Sequence, residues 1–252
     1  MIHAYFEDEP TDEELAELRR LGTGDPEIEH IEDTTDWVTK SQQGLQPIRA
    51  GRFFVHTPMH YADRPGDTVN FEIDAGLAFG TGQHATTAGC LAALDRLAVE
   101  GTDFHNVADI GTGTGLLAFA ALSLWPTAKC IATDIDPIAV DVSRDNAAIN
   151  GVKTGHAEGE LLLAVADGMD SPMLAARAPF DLLIANILAG PLIELAPAFV
   201  MALAPGGTVI LAGLLDTQAE AVGRAYEALG LKLIDRGAGE WPVLVLKGPS
   251  QS

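Results

Sequence analysis

From residue 107 onward the chain alternates between two hydrophobic periods. Residues 107–110, 130–133, 161–166, 182–185 and 208–212 are short, almost continuous apolar runs, the pattern of strands buried on both faces. Between them, residues 116–124, 137 to about 150, 193–203 and 218–229 repeat their apolar positions at helical spacing, with a shorter helical piece near Met173. Pro137 falls in a first helical turn, where its missing N–H costs nothing. Residues 231–234 and 243–246 read as two closing strands whose connection through Gly237, Gly239 and Pro242 is too short for a crossover. Strands alternating with helices predict an α/β fold with a mostly parallel, doubly wound sheet, and the last pair predicts an antiparallel strand.

Ahead of that region the pattern is more broken. Thr11 and Glu14 have capping-box spacing, and Leu15, Leu18 and Leu21 predict a short amphipathic helix from about residue 12 to 21, ended by Gly22, Gly24 and Pro26. Ile28 and His30 suggest an edge strand. Residues 53–55 and 69–73 read as short strands separated by a connector with Pro58, Pro65 and Gly66. Residues 74–87, DAGLAFGTGQHATT, form a glycine-rich loop in which Phe79 is an apolar residue with something to cover; Thr86 or Thr87 can cap the helix through Cys90, Leu91, Leu94 and Leu97.

Composition narrows the possibilities. The 252 residues suffice for one large domain with a small appendage, and 47% apolar with 20% charged residues is ordinary for a globular chain. No uninterrupted apolar stretch reaches membrane-spanning length and no signal-peptide pattern opens the chain, so a soluble, unprocessed protein is expected. Two cysteines, Cys90 and Cys130, cannot build a disulfide framework, which suits the cytoplasm. The 36 acidic against 15 basic side chains, a net charge of −21, argue against direct nucleic-acid binding and for a basic or neutral partner, or simply for a solvated acidic surface.

The chemistry gathers at strand ends. Asp109-Ile110-Gly111-Thr112-Gly113-Thr114-Gly115 joins a strand to a helix, and its glycines let the backbone approach a ligand closely beside free helix N–H groups. Asp109, Asp134, Asp167 and Asn186 each follow an apolar run, so a doubly wound sheet brings them to one crevice. Asp134, about 20 residues beyond the turn, is placed to accept hydrogen bonds from both hydroxyls of a ribose; Asp136, next to Pro137, reads better as a helix start. A dinucleotide fingerprint wants its third glycine at position 116, and here it stands at Gly115. His84 has no second ligand at metal spacing, and no metal is expected. A nicotinamide oxidoreductase and a non-catalytic protein-binding platform are the rival readings.

The blocks DAGLAFGTGQHATT, DIGTGTGLLAFAAL, DIDPIAVDVSRDNAAINGV and ANILAGPLIELAP together resemble the bacterial ribosomal protein L-eleven methyltransferases, the PrmA family, from about Trp37 to the end. The resemblance implies a Rossmann-like seven-stranded methyltransferase domain over residues 74–252, a linker and leading strand over 56–73, and a small, reduced or trimmed N-terminal α+β substrate-recognition domain over 1–55. It implies S-adenosylmethionine as cofactor, held by Thr87, Gly111, Gly113, Asp134 and Asn186, with Phe79 and Gly80–Gly82 over its methionine end. Asp167 can accept from the adenine amino group. The implied substrate is a large-subunit ribosomal protein methylated by a monomeric enzyme on lysine side chains and its N-terminal amine. Asn186 is the candidate catalytic residue, orienting cofactor and amine together, or else a strand-end cap for the helix that follows; Ile187-Leu188-Ala189 replaces the Pro-Pro-Tyr of many amino methyltransferases.

Overall fold

The structure, a computed structural model, describes residues 46–73 and 83–250 together with Thr11 and Leu15. The helix expected over 12–21, the strand near Ile28 and His30, and the loop 74–82 with Phe79 lie outside the described residues. By compactness the chain divides into residues 1–40 and 41–252, and every strand named below belongs to the second unit.

Seven strands form the main sheet: β4 (Asn106–Ile110), β5 (Lys129–Asp134), β6 (Leu161–Val165), β7 (Phe180–Asn186), β8 (Leu203–Ala212), β9 (Lys232–Arg236) and β10 (Leu244–Lys247). Their spatial order is β6-β5-β4-β7-β8-β10-β9. Pairings among β4 to β8 are parallel, and β10 runs antiparallel to both β8 and β9. The chain leaves β4 in one direction for β5 and β6 and resumes on the other side at β7, so the topological switch lies between β4 and β7.

Successive side chains of these strands serve opposite faces, which is why the apolar runs show little alternation. Val107, Cys130, Leu182 and Ile184 pack with helices α1 (Gln83–Val99) and α2 (Leu116–Leu124). Ala108, Ile131, Leu183 and Val209 pack with α4 (Pro172–Arg177), α5 (Ala189–Ala202) and α6 (Asp216–Glu227). Helix α3 (Pro137–Ile149) begins as expected: Asp136 is its N-cap, accepting from the Ile138 N–H at 2.9 Å, with Pro137 in the first turn. Helix α1 begins at Gln83, so Thr86 and Thr87 lie inside its first turns as buried side chains rather than at its cap. Helix α5 begins four residues earlier than its apolar period suggests, because Gly190 and Pro191 sit in the first turn, where an N–H is not needed.

A smaller sheet precedes the main one. Its strands are β1 (Ile48–Ala50), β2 (Phe53–His56) and β3 (Val69–Glu72). β1 and β2 form an antiparallel hairpin that turns at Gly51 with φ 56°, and β3 adds to β2 in parallel. Periodicity missed β1, whose three residues alternate buried and exposed. Phe53 stacks on Phe71, and Phe71 meets Phe119 of α2 at 6.3 Å, so this sheet shares the core under α1 and α2. It spans the boundary expected at residue 55.

Candidate functional site

The glycine turn leaves the end of β4 and is pinned to β5: the N–H groups of Gly111 and Thr112 both donate to the Thr133 carbonyl, at 2.8 and 2.9 Å. Gly111, Gly113 and Gly115 all have positive φ, between 57° and 86°. At Gly111 a Cβ would stand 2.3 Å from Cγ2 of Ile187, and at Gly115 it would meet the Phe119 ring at 2.4 Å; at Gly113 it would meet nothing within 4 Å. Two of the glycines are thus required by packing, while Gly113 presents bare backbone to open space.

Register aligns the candidate residues in a row. Ile110 pairs with Thr133 on one side and Ala185 on the other, so Asp134, Gly111 and Asn186 sit side by side at the carboxyl ends of β5, β4 and β7, across the switch point. With adjacent strands about 4.8 Å apart, the row spans roughly 10 Å. Half-buried Asp134 accepts from Gly113 N–H through Oδ2 at 2.9 Å and from Asp136 N–H through Oδ1 at 3.0 Å. Each oxygen keeps a further lone pair. Asn186 ends β7, and its amide Nδ2 donates to Oγ1 of buried Thr87 at 3.5 Å, a long contact that turns the carboxamide toward α1. Asp167 follows β6 in an exposed turn closed by Asp170 N–H to the Asp167 carbonyl, two residues beyond the level of Asp134.

Asp109 is 1% exposed. Its Oδ2 accepts from Thr112 Oγ1 at 2.6 Å, whereas its buried Oδ1 has no hydrogen-bond partner. Burial lifts the carboxyl to about 7, against the pull of the Thr112 hydrogen bond. An unfolded aspartate titrates near 3.9, so between about 4 and 7 the folded protein holds this proton more tightly. The stability this contributes is complete below about 4 and lost as pH rises through about 7. We expect the difference in unfolding free energy between wild type and Asp109→Asn to shift by a few kcal/mol toward the variant across that window. Urea titrations at several pH values check it; a constant difference would mean that Asp109 is ionised throughout.

Packing behind the row involves residues that motif reading passed over. Ile187 fits between Gly111 and Gly213, where a Cβ would lie 2.3 Å from the Ile187 carbonyl oxygen, and this wedge fixes the end of β7. From α3, Ser143 Oγ donates to the Gly113 carbonyl at 2.8 Å and Asn146 Nδ2 to the Thr114 carbonyl at 3.1 Å. Both side chains are buried on a helix whose outer face is charged, and polar residues at the core positions of an amphipathic helix are the signal that would have found them. A separate open groove of about 860 Å³, lined by His105, Lys129, His156 and Arg177, lies at the opposite, amino ends of the strands. Among the described residues no three His, Cys, Asp or Glu side chains are placed to hold a metal ion. The His84 side chain lies outside the described residues.

The family model described as ribosomal protein L11 methyltransferase (PrmA) matches residues 1–248. A ribosomal protein L11 methyltransferase of Brucella abortus (strain S19) is 48% identical over 232 residues, covering 91% of this chain and 78% of that protein. One from Caulobacter sp. (strain K31) is 44% identical over 244 residues, covering 95% of this chain and 81% of that protein. Among solved structures, a ribosomal protein L11 methylase from Lactobacillus delbrueckii subsp. bulgaricus superposes with a TM-score of 0.67 at 27% identity, over 81% of this chain and 98% of that one.

Proposed function

The chain belongs to the ribosomal protein L11 methyltransferase family, and from that premise we propose that it methylates ribosomal protein L11 on lysine side chains, and on the N-terminal amine, with S-adenosylmethionine as donor. The observation that carries the reading is the row Asp134, Gly111, Asn186 across the switch point of a seven-stranded sheet, where such folds receive their ligands.

The residues present suit the donor. Asp134 has lone pairs left over for two ribose hydroxyls, Gly111 and Gly113 offer close backbone approach, and Thr87 lies against Asn186 at the other end of the row. When bound, S-adenosylmethionine supplies a methyl group already activated by its sulfonium. The protein's own task is then to desolvate and aim an amine. A lysine amine with a reference pKa of about 10.4 must be neutral to react, and removal from water favours that form. The Asn186 carboxamide, with Nδ2 turned to Thr87, leaves its carbonyl oxygen to accept an amine hydrogen and direct the lone pair.

Substrate docking is assigned to residues 1–55, with 56–73 leading into the methyltransferase domain of residues 74–252. A net charge of −21 favours a basic ribosomal protein over nucleic acid as direct partner. We read the enzyme as a cytoplasmic monomer, a compartment that suits its two free, buried cysteines.

Incubating the chain with purified L11 and S-adenosylmethionine, followed by mass spectrometry of L11, is expected to show mass gains in multiples of one methylene located on lysines and the N-terminus. Unmodified L11 beside a demonstrated uptake of the donor would move the substrate assignment elsewhere.

A further inference from the structure

The chain carries 36 acidic against 15 basic side chains, yet the groove at the amino ends of the strands reverses that balance. His105, Lys129, His156 and Arg177 line it, and among the described residues Glu158 is its one carboxylate. Register sets Asn106 and Lys129 side by side at the start of β4 and β5. Arg177 ends α4, and Asn106 locks that end: its Nδ2 donates to the Arg177 carbonyl at 2.6 Å and to the Pro179 carbonyl at 2.8 Å. The guanidinium is tied by Nη2 to the His156 carbonyl at 3.3 Å.

Two atoms on this wall are left over. Buried Nη1 of Arg177 and buried Oδ1 of Asn106 have no hydrogen-bond partner. Arg49, Arg52, Arg96, Arg144, Arg224 and Arg236 each pair with a carboxylate, whereas among the described residues neither Arg177 nor Lys129 does. Burial lowers the pKa of the Arg177 guanidinium from its ordinary value, and a cation partly stripped of water without a counter-charge is costly. Orphaned polar atoms of this kind are rare in folded proteins and call for a partner. The two are complementary, since Nη1 lacks an acceptor and Oδ1 lacks a donor. The Asn106 amide cannot be turned over to cure this, because its nitrogen already faces two carbonyls. Both residues are half-buried, so small side-chain shifts suffice to bring the two atoms against a ligand in the groove.

We propose that this groove binds hydrogenphosphate, with anionic oxygens on Arg177 and Lys129 and the remaining O–H donated to Asn106 Oδ1. An oxyanion without a hydroxyl, such as sulfate, sets a bare oxygen against Asn106 Oδ1 and is disfavoured. The site lies at the strand ends opposite the row Asp134, Gly111, Asn186, so it stands or falls apart from the cofactor reading.

The test is a titration of the chain with sodium phosphate, and separately with sodium sulfate, at neutral pH and an ionic strength held constant with chloride, read by backbone amide chemical shifts. Phosphate is expected to give saturable shifts at 105–106, 129, 156–158 and 172–177 with a Kd of roughly a millimolar. Sulfate is expected to bind roughly tenfold more weakly or worse. Lys129→Ala and Arg177→Gln are each expected to weaken phosphate roughly tenfold. Glu158→Gln, which removes the opposing carboxylate, is expected to tighten it a few-fold, and all three variants keep wild-type affinity for S-adenosylhomocysteine. Equal affinity for phosphate and sulfate would mean an adventitious ion only. Shifts that do not saturate in the millimolar range, or wild-type phosphate affinity in Lys129→Ala, would overturn the proposal outright. Should Arg177→Gln not fold, Lys129→Ala and Glu158→Gln, both at exposed positions, decide it.

Discussion

Alanine at position 134 is expected to weaken S-adenosylhomocysteine binding by roughly two to three orders of magnitude, to the point where calorimetry detects no binding at ordinary concentrations. Two contributions add. Hydrogen bonds from ribose hydroxyls to a carboxylate are charge-assisted, each contributing about 1.5–3 kcal/mol. The same substitution strips the Gly113 N–H and the Asp136 N–H of their acceptor, loosening the turn and the start of α3 together. Asp136→Ala separates the two: it removes the cap of α3, for which about 1 kcal/mol of stability is expected to be lost, yet leaves the Asp134 carboxylate in place. Near-normal affinity in Asp136→Ala beside lost affinity in Asp134→Ala is the expected pair of results. An unchanged dissociation constant for Asp134→Ala removes the ribose assignment.

The second large effect is expected at Asn186, and in a different quantity. Asn186→Ala should lower kcat by roughly a hundredfold or more while the affinity for S-adenosylhomocysteine stays within about threefold, because the carboxamide is assigned to aiming the amine and its contact to Thr87 is long. Single-turnover rates with L11 beside calorimetric titrations measure the two separately. Equal losses in both would make Asn186 a binding residue alone, and no loss in either would leave it a strand-end cap.

The main sheet was legible because its central strands are short apolar runs buried on both faces and are separated by longer helical patterns, so length and period separate them: 107–110 became β4 with one residue added, and 130–133 became β5 with one residue added at each end. The antiparallel finish followed from a connection too short to cross over. What escaped depends on contacts between distant residues. β1 is three residues long and owes its existence to pairing with β2 and to the Gly51 turn. Thr86 and Thr87 fit the composition of a cap, but the helix starts before them. Asn150 next to Gly151 looks like an ordinary helix end in sequence, and nothing local says that its side chain reaches Glu72, 78 positions away. The candidate row was easier to find, since strand ends in a doubly wound sheet converge whatever their separation in sequence.

We propose that the carboxyl edge of β5, β4 and β7 receives the nucleoside of the methyl donor, and a crystal structure of the chain with S-adenosylhomocysteine is the decisive test. Both ribose hydroxyls are expected within hydrogen-bond distance of Asp134, the chain of the ligand passing over Gly111 and Gly113, and its sulfur on the side of Thr87 and Asn186. A ligand seated in the groove beside Lys129 and Arg177, or at the carboxyl edge with its ribose turned away from Asp134, would contradict it.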